Sequence, residues 1–348
     1  MSLPIPRIQA EFECVNSGGN AGTFSRPVFT RQRSSNMGPP SHTSRPETSP
    51  AQIKSWGFHV RSIWLFTFSD LKTIVGPKTV FGIVNALSAP AFGLNTPPKA
   101  MMLLQRALLV ILWTWINLLP FAIDNQRQPA AITEDSLNKP WRPMPSRRLT
   151  PKQAKRIMFT LYPVAGLASF SVGGFRQCIA LMILGYWYND RGGADVSCIV
   201  RNLINACGFV CYSSGAMEVA LGYPLRWQSQ LAQWFLIIGA VIFSTVQTQD
   251  LYDQAGDKLR GRNTVPLVTG DAPARWMTVI AMGAWCTICP IYWSVHYGIG
   301  VAFALLGTLI IFRCLTKRSV SDDKTTFRLW NLWVVFMYSL PLIKLKCS

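Results

Sequence analysis

Apolar stretches alternate with short polar segments from about residue 73 to the end of the chain. Nine apolar runs can be distinguished, at about 73–93, 102–123, 156–173, 177–190, 198–217, 231–249, 275–293, 297–315 and 328–344. A straight transmembrane helix needs about 20 apolar residues; some runs reach that length and others fall short of it. The pattern therefore predicts an all-α polytopic membrane protein with about nine transmembrane helices. The fourth run is the shortest of them.

Residues 1–55 differ from the rest of the chain. They are rich in Ser, Pro, Arg, Asn and Gly, and they contain no apolar core of a signal peptide. A segment of this composition cannot bury enough apolar surface to fold. We therefore expect a disordered, cytosolic N-terminal tail at 1–55 and a transmembrane domain that carries the chemistry at 56–348.

The overall composition agrees with a membrane protein. Mean hydropathy is +0.22 and 14% of the residues are charged, against about a quarter in soluble domains. The net charge of +18 comes from basic residues in the tail and in the loops after the second, sixth and eighth runs. The positive-inside rule explains this distribution without nucleic acid, and it predicts that the N-terminus and these loops face the cytosol.

Three aspartates follow the sixth run, in the sequence QTQDLYDQAGDKLRGR. Asp250, Asp253 and Asp257 are spaced three and four residues apart, which places their carboxylates on one face of a helix. Carboxylates so close together repel one another unless a cation lies between them. Because Mg²⁺ prefers oxygen ligands and keeps coordination positions open for phosphate oxygens, the spacing predicts a magnesium site.

The loop after the second run has a similar composition. It offers Asn125, Glu134 and Asp135 as oxygen ligands, followed by Lys139 and Arg142. The second acidic segment is likewise followed by bases, beginning with Lys258. Acids that bind metal ions and bases that neutralise phosphate together suit a diphosphate held through Mg²⁺. The alternatives are surface charge or helix capping for the acids, and membrane topology for the bases.

Both segments resemble signature motifs of the UbiA superfamily of intramembrane prenyltransferases. The first resembles the family's Asn/Asp-rich motif followed by R-P-x-P-S, here 142–146, and the second resembles its D-x-x-D-x-x-x-D motif. The segment FTFSDLKTIVGPKTVFGI is similar to the opening helix of fungal members, and it adds Asp70 and Lys72 as candidates for the diphosphate site. The resemblance covers about residues 60–345 and implies a nine-helix bundle with Mg²⁺ as cofactor.

The first motif departs from the family's common N-x-x-x-D-x-x-x-D spacing. Counting back four and eight residues from Asp135 gives Ala131 and Arg127, neither of which is a metal ligand. The form of this loop looks most like a fungal branch that includes membrane-bound sesquiterpene cyclases. This likeness implies cyclisation of farnesyl diphosphate in secondary metabolism.

The sequence thus predicts an enzyme that ionises a prenyl diphosphate inside a membrane, with the endoplasmic reticulum as the expected location. Two alternatives remain open: prenyl transfer to an aromatic acceptor, and a membrane transporter that uses its acids for cations. Downstream membrane-bound biosynthetic enzymes are possible partners. An apolar pocket should exclude water and stabilise the prenyl cation through ring faces. Candidates for its lining are Trp113, Trp115, Phe209, Tyr212 and Trp234.

Overall fold

The computed structural model describes residues 55–94, 98–226 and 228–347. Within these ranges the chain forms helices, turns and loops, without a β-strand. The tail predicted at 1–55 lies outside them except for Ser55, so its disorder stays a prediction. The α-helices are α1 (Trp56–Thr67), α2 (Gly76–Leu87), α3 (Ala100–Arg127), α4 (Pro129–Asn138), α5 (Pro151–Val172), α6 (Phe175–Asn189), α7 (Gly193–Val196), α8 (Cys198–Leu221), α9 (Ser229–Thr245), α10 (Asp250–Arg260), α11 (Val265–Thr269), α12 (Asp271–Trp293), α13 (Tyr297–Thr316) and α14 (Val320–Cys347).

Each of the nine predicted apolar runs falls on one of these helices. Four helical segments are long and apolar enough to cross a membrane: Met101–Arg127, Ser229–Thr248, Asp271–Trp293 and Tyr297–Thr316. By contrast, α6 contains only 15 residues, whereas the 12-residue α2 continues without a break from a π-helix, Leu71–Val75. A helix of 15 residues rises only about 23 Å, less than the roughly 30 Å of a hydrocarbon core. The all-α fold is confirmed, whereas nine membrane crossings stay a prediction.

Burial distinguishes inner from outer helices. In the most apolar stretches of α3 and of the span that contains α9, 56% of the residues are buried, against 28% in α12 and 22% in α13. Large apolar side chains of α12 and α13, such as Ile280, Leu305 and Phe312, are exposed. Exposed apolar surface of this kind is compatible with lipid rather than water. We infer that α12 and α13 lie at the periphery of the bundle.

Small residues allow the inner helices to approach closely. α2 packs along α8, and a Cβ atom on Gly82 would lie 2.6 Å from the carbonyl oxygen of Ala216. Such contacts between small residues are typical of helix packing in membranes. The surrounding core is rich in fully buried aromatic side chains, among them Trp113, Trp234, Trp330, Trp333 and Tyr338.

Two polar helices, α4 and α10, carry the acidic segments. Pro129 occupies the first turn of α4, where its fixed φ favours a helix and its missing N–H costs nothing. α10 follows the α9 span through a single 3₁₀ turn, Val246–Thr248, so that Asp250 lies at the end of a membrane helix. α4 and α10 pack against each other, and this contact brings the two acidic segments together.

Candidate active site

Five carboxylates line the contact between α4 and α10. Asp250, Asp253 and Asp257 of α10 are only 2%, 6% and 1% exposed, so the helix turns this face into the protein. α4 adds Glu134 and Asp135, which are also buried. Because buried carboxylates are costly without compensation, this arrangement requires cationic partners.

Two glycines position the acidic face. A Cβ atom on Gly256 would lie 2.1 Å from Nδ2 of Asn138, so a larger residue would displace α4 or the Asn138 side chain. α10 ends at Gly261, whose φ of 77° is a left-handed conformation that glycine adopts without steric cost. The chain then reverses, and the backbone N–H of Arg262 donates to the carbonyl oxygen of Asp257 over 3.0 Å. The reversal holds the guanidinium of Arg262 beside the third carboxylate of α10.

Each of the five carboxylates forms an ion pair with a basic side chain. The pairs and their N–O distances are Asp135–Arg142 at 2.8 Å, Asp250–Arg201 at 2.8 Å, Asp253–Lys139 at 3.4 Å, Asp257–Arg262 at 3.1 Å and Glu134–Arg262 at 3.1 Å. The Lys139 pair joins the first polar loop directly to the second. The structure thus brings together acids and bases that lie far apart in the sequence.

Glu134 lies at the centre of a denser network. Its Oε1 accepts from Arg262 and its Oε2 accepts from Arg260, over 3.1 and 3.2 Å. The same two arginines donate to Oδ1 of Asn125 over 3.3 and 3.4 Å. Asp195 of α7 accepts from Nε of Arg262 over 3.0 Å. The two arginines therefore hold α3, α4 and α7 together at one point.

A polar cavity of about 480 Å³ opens beside these groups. Its carboxylates are Asp70, Glu134 and Asp253. Of the residues predicted to bind diphosphate, Lys72, Lys139, Arg142 and Asp70 line it. Lys258 does not: it is exposed on α10 and lines neither this cavity nor the apolar one described below.

A narrower cavity, of about 120 Å³, extends from the polar one toward the core. Apolar and aromatic side chains dominate its lining, including Ile74, Leu118, Phe121, Leu181, Phe209 and Tyr212. Phe209 and Tyr212 were predicted to line such a pocket. Trp113, Trp115 and Trp234 lie elsewhere; Trp115, for example, donates its indole N–H to Thr67.

The polar and apolar cavities share part of their walls. Six residues line both of them: Asp70, Thr73, Asn125, Tyr188, Arg201 and Gln249. A molecule with one anionic end and one apolar end could therefore occupy both cavities at once.

Arg201 and Tyr188 are site residues that the sequence-based prediction omitted. Arg201 is buried, pairs with Asp250 and donates a hydrogen bond to the hydroxyl of Tyr188. Gln249, beside Asp250, is a third omission. One signal was present in the sequence: Arg201 stands four residues inside an apolar run, a position where a charged residue is costly and usually functional.

The electrostatic balance differs among the carboxylates. Burial raises the pKa of Asp257 to about 6, although Arg201 acts in the opposite direction. At Glu134, burial also acts to raise the pKa, but Arg262 and Arg260 outweigh it and the pKa falls below its ordinary value. Asp257 is therefore compensated less completely than Glu134.

The donor set fits a hard divalent cation, because carboxylate and amide oxygens are the ligands that Mg²⁺ prefers. Within the described ranges, no three acidic, histidine or cysteine side chains are grouped closely enough to hold one metal ion. Basic side chains instead contact the carboxylates, as the ion pairs above record. Oδ2 of Asp257 is buried and has no hydrogen-bond partner in this part of the chain. That oxygen retains the lone pairs that a cation would need.

An all-helical bundle with lipid-compatible outer faces, and with an acid-and-base cavity that opens into an apolar one, defines an integral membrane enzyme. A model of the UbiA prenyltransferase family matches residues 107–338 of this chain, which is more than half of its 348 residues. The chain belongs to the UbiA prenyltransferase family. Members of this family are prenyltransferases and terpene synthases, so both the predicted family and the prediction of an enzyme are confirmed.

Characterised relatives include terpene synthases. The chain is 27% identical over 286 residues to fumagillin beta-trans-bergamotene synthase of Aspergillus fumigatus, an alignment that covers 81% of this chain and 92% of the relative. It is 26% identical to somaliensene A/B synthase of Streptomyces somaliensis, covering 81% and 92%. It is 25% identical to a polyprenyl transferase of Hericium erinaceus, covering 79% and 91%.

Solved structures show the same fold. A digeranylgeranylglyceryl phosphate synthase superposes with a TM-score of 0.52 at 16% identity, covering 82% of this chain and 99% of that one. A UbiA homologue from Archaeoglobus fulgidus, bound to GPP and Mg²⁺, superposes with a TM-score of 0.51 at 13% identity, covering 78% and 99%. At these identities the likeness establishes the UbiA-like fold of this chain.

Proposed function

We propose that this protein binds a prenyl diphosphate, farnesyl diphosphate in the first instance, ionises it with Mg²⁺ and cyclises it to a sesquiterpene with release of diphosphate. The relative that is named a bergamotene synthase supports the cyclisation, because its likeness extends over most of both chains. The archaeal homologue bound to GPP and Mg²⁺ supports both the substrate class and the metal.

The observation that carries this proposal is the continuity of the polar and apolar cavities. A diphosphate needs metal-binding carboxylates and bases, and a prenyl chain needs a dry apolar pocket. In this chain the two environments adjoin at a common wall that contains Asn125, Arg201 and Tyr188. The C–O bond to be broken would lie at that wall, with the anion on one side and the hydrocarbon on the other.

The polar side supports departure of the diphosphate. The residues proposed to hold Mg²⁺ are those predicted from the sequence, Asn125, Glu134, Asp135, Asp250, Asp253 and Asp257. Of these, Asn125, Glu134 and Asp253 line the polar cavity. Bound there, Mg²⁺ would stabilise the negative charge that gathers on the departing diphosphate. Lys139 and Arg142 neutralise the remaining phosphate oxygens, and Arg201 acts from the shared wall. Lys258 is left out of the proposal because it is exposed away from the cavity.

The apolar side governs the fate of the cation. When the C–O bond breaks, its electron pair leaves with diphosphate and an allylic cation remains on the prenyl chain. The apolar lining excludes the water that would trap this cation, and the rings of Phe209 and Tyr212 can stabilise it through their faces. Attack by a double bond further along the chain closes the ring, and loss of a proton gives the hydrocarbon.

Prenyl transfer to an aromatic acceptor is the second candidate. The likeness to a polyprenyl transferase favours it, since that alignment also spans most of both chains. Both reactions share the ionisation step and differ in the group that captures the cation. We place either reaction in the endoplasmic reticulum membrane, with the acidic loops on the cytosolic side because those loops are rich in basic residues.

Microsomes that contain the protein, incubated with farnesyl diphosphate and Mg²⁺ but without an acceptor, test the proposal. We expect a cyclic hydrocarbon in the headspace and stoichiometric inorganic diphosphate, both abolished by EDTA. Asp250→Ala and Asp253→Ala should lose turnover while still inserting into the membrane. Turnover only after a phenolic acceptor is added would favour the transferase, and no release of diphosphate under either condition would refute ionisation altogether.

A further inference from the structure

Three basic side chains at the mouth of the polar cavity take no part in the ion pairs described above. Lys72 precedes α2, and Lys324 and Arg328 lie one turn apart near the start of α14. All three are exposed and all three line the polar cavity. Among the residues that the structure describes, none of the three forms an ion pair with a carboxylate. We call these three residues the mouth cluster.

An aromatic surface lies beneath two members of the mouth cluster. The Nζ of Lys72 is 5.7 Å from the ring centroid of Phe327, and the Nζ of Lys324 is 5.9 Å from that of Tyr252. The two ring centroids are 5.8 Å apart. Both ammonium groups thus lie over adjoining rings, which attract a cation but do not neutralise its charge.

Two members of the mouth cluster, Lys72 and Arg328, also repel each other. Burial and then the charge of Arg328 lower the pKa of Lys72, with Asp70 acting in the opposite direction. Deeper in the cavity the bases are paired with carboxylates, as Arg142 is with Asp135. Like charges from separate parts of the chain, gathered at one cavity entrance, are expected to stabilise an anion between them.

We propose that the mouth cluster is a metal-independent binding site for a phosphate-type anion. It holds the diphosphate group of the substrate before that group reaches the carboxylates of α4 and α10. It holds inorganic diphosphate again before the product is released. This inference rests on the proposed function for the identity of the anion. The cavity itself favours it, because Lys324, Lys139 and Asp253 all line the same cavity. A diphosphate could therefore move between the two positions while surrounded by protein.

Phospholipid headgroups offer similar chemistry, so the test must separate the two sources. The test variant is Lys324→Gln/Arg328→Gln. The matched control is Lys317→Gln/Arg318→Gln, which removes the same charge from exposed positions in the preceding loop that do not line the cavity. Full-length protein is reconstituted in nanodiscs of phosphatidylcholine alone, and binding of labelled inorganic diphosphate is measured by equilibrium dialysis in EDTA.

We expect the test variant to raise the dissociation constant for diphosphate by about tenfold, and the control to change it by less than about twofold. If the prenyl diphosphate is turned over, its KM should rise by a similar factor while kcat stays nearly unchanged. If the dissociation constant rose equally in both variants, the effect would come from general surface charge and the proposal would be wrong. If it rose in neither variant, the mouth cluster would not bind diphosphate.

A second arm adds phosphatidylserine to the nanodiscs. Diphosphate binding by the wild-type protein should persist in neutral lipid and change little with the anionic lipid. If diphosphate binds in neither lipid, while the test variant binds phosphatidylserine vesicles less well than the control, the mouth cluster is a headgroup site and the proposal is wrong. Because dialysis requires no turnover, a protein that fails to ionise prenyl diphosphates would refute the proposed function without deciding this inference.

Discussion

Arg262 and Glu134 lie 128 positions apart in the sequence, yet Nη1 of the arginine and Oε1 of the glutamate are 3.1 Å apart in a buried ion pair. The same guanidinium also contacts Asp257 and Asp195. One planar group with five N–H donors thus connects both acidic segments and the loop between α6 and α8. The relative placement of the two motifs depends on this residue.

Arg262→Lys keeps the charge and is therefore a sharp test of that role. An ammonium group cannot reach all these acceptors at once, so we expect a loss of about 2 kcal/mol in the free energy of unfolding. Turnover should fall by about tenfold or more as the two motifs separate. Thermal unfolding in detergent and initial rates measure the two effects. Arg318→Lys, on an exposed loop, is the control, and a variant indistinguishable from it would contradict the prediction.

Asp257→Asn should lower turnover, because it removes a proposed Mg²⁺ ligand, and should raise stability in the absence of Mg²⁺. Because the pKa of Asp257 is raised from 3.8 to about 6, the folded protein binds this proton more tightly than the unfolded chain does. The charge of Asp257 therefore destabilises the fold increasingly as the pH rises from about 4 to above 6. Without Mg²⁺ the neutral variant should unfold at a higher temperature than the wild type at pH 7.5, with a smaller difference at pH 5.

Thermal unfolding in EDTA at pH 5, 6 and 7.5 checks this pH dependence. Asp322→Asn near the start of α14 provides the contrast. The hydrogen bond from Ser319 and the charge of Arg313 hold the pKa of Asp322 below its ordinary value, so removal of this charge should lower the stability at pH 7.5. For Asp257→Asn, a stability difference that does not vary with pH, or a stability below that of the wild type at pH 7.5, would show that the charge of Asp257 is well compensated.

The apolar pattern was sufficient to predict the fold class and the positions of the long helices. It was not sufficient for the number of crossings, because α6 is too short to span by itself and depends on its neighbours. A length criterion considers each run by itself. In a bundle, neighbouring helices can pack against a short helix and keep it within the membrane.

The candidate site was predictable where motif spacing carries information and not elsewhere. Asp250, Asp253 and Asp257 could be assigned to one face from their spacing alone. Arg201 could not be assigned in that way, since only the packing of α8 against the end of the α9 span brings it to Asp250. Lys258 shows the converse: its place beside the motif suggested a role, but the helical period turns it to the exposed side.

Lys78 should be replaceable without loss of stability. Its side chain is fully buried in α2, where Nζ donates to Tyr338 over 2.7 Å and to Ser213 over 3.0 Å. In the described part of the chain it has no carboxylate partner, and its other contacts are the rings of Phe209 and Tyr338. Hydroxyl groups and ring faces offset only part of the desolvation cost of a buried ammonium group, and an apolar side chain of similar size avoids that cost.

We therefore expect Lys78→Met to unfold in detergent at a temperature equal to or above that of the wild type. Arg201→Met provides the contrast, because it leaves the buried carboxylate of Asp250 without its partner and should cost about 3 kcal/mol or more. If Lys78→Met were destabilised as strongly as Arg201→Met, the hydroxyl groups around Lys78 would have to contribute far more than neutral hydrogen bonds do.

Gly208 should determine which prenyl chains fit. It lines the apolar cavity together with Phe209 and Tyr212, and a Cβ atom at this position would have no neighbour within 4 Å. Gly208→Leu would therefore project into the space proposed for the prenyl chain without disturbing the helix packing.

Relative to the wild type, kcat/KM of Gly208→Leu for farnesyl diphosphate should fall by about tenfold or more, and kcat/KM for geranyl diphosphate should fall by much less. Gly283→Leu on α12, where a Cβ would also lie in open space, should leave both values unchanged. Equal losses for both substrates in Gly208→Leu would mean that the prenyl chain lies elsewhere.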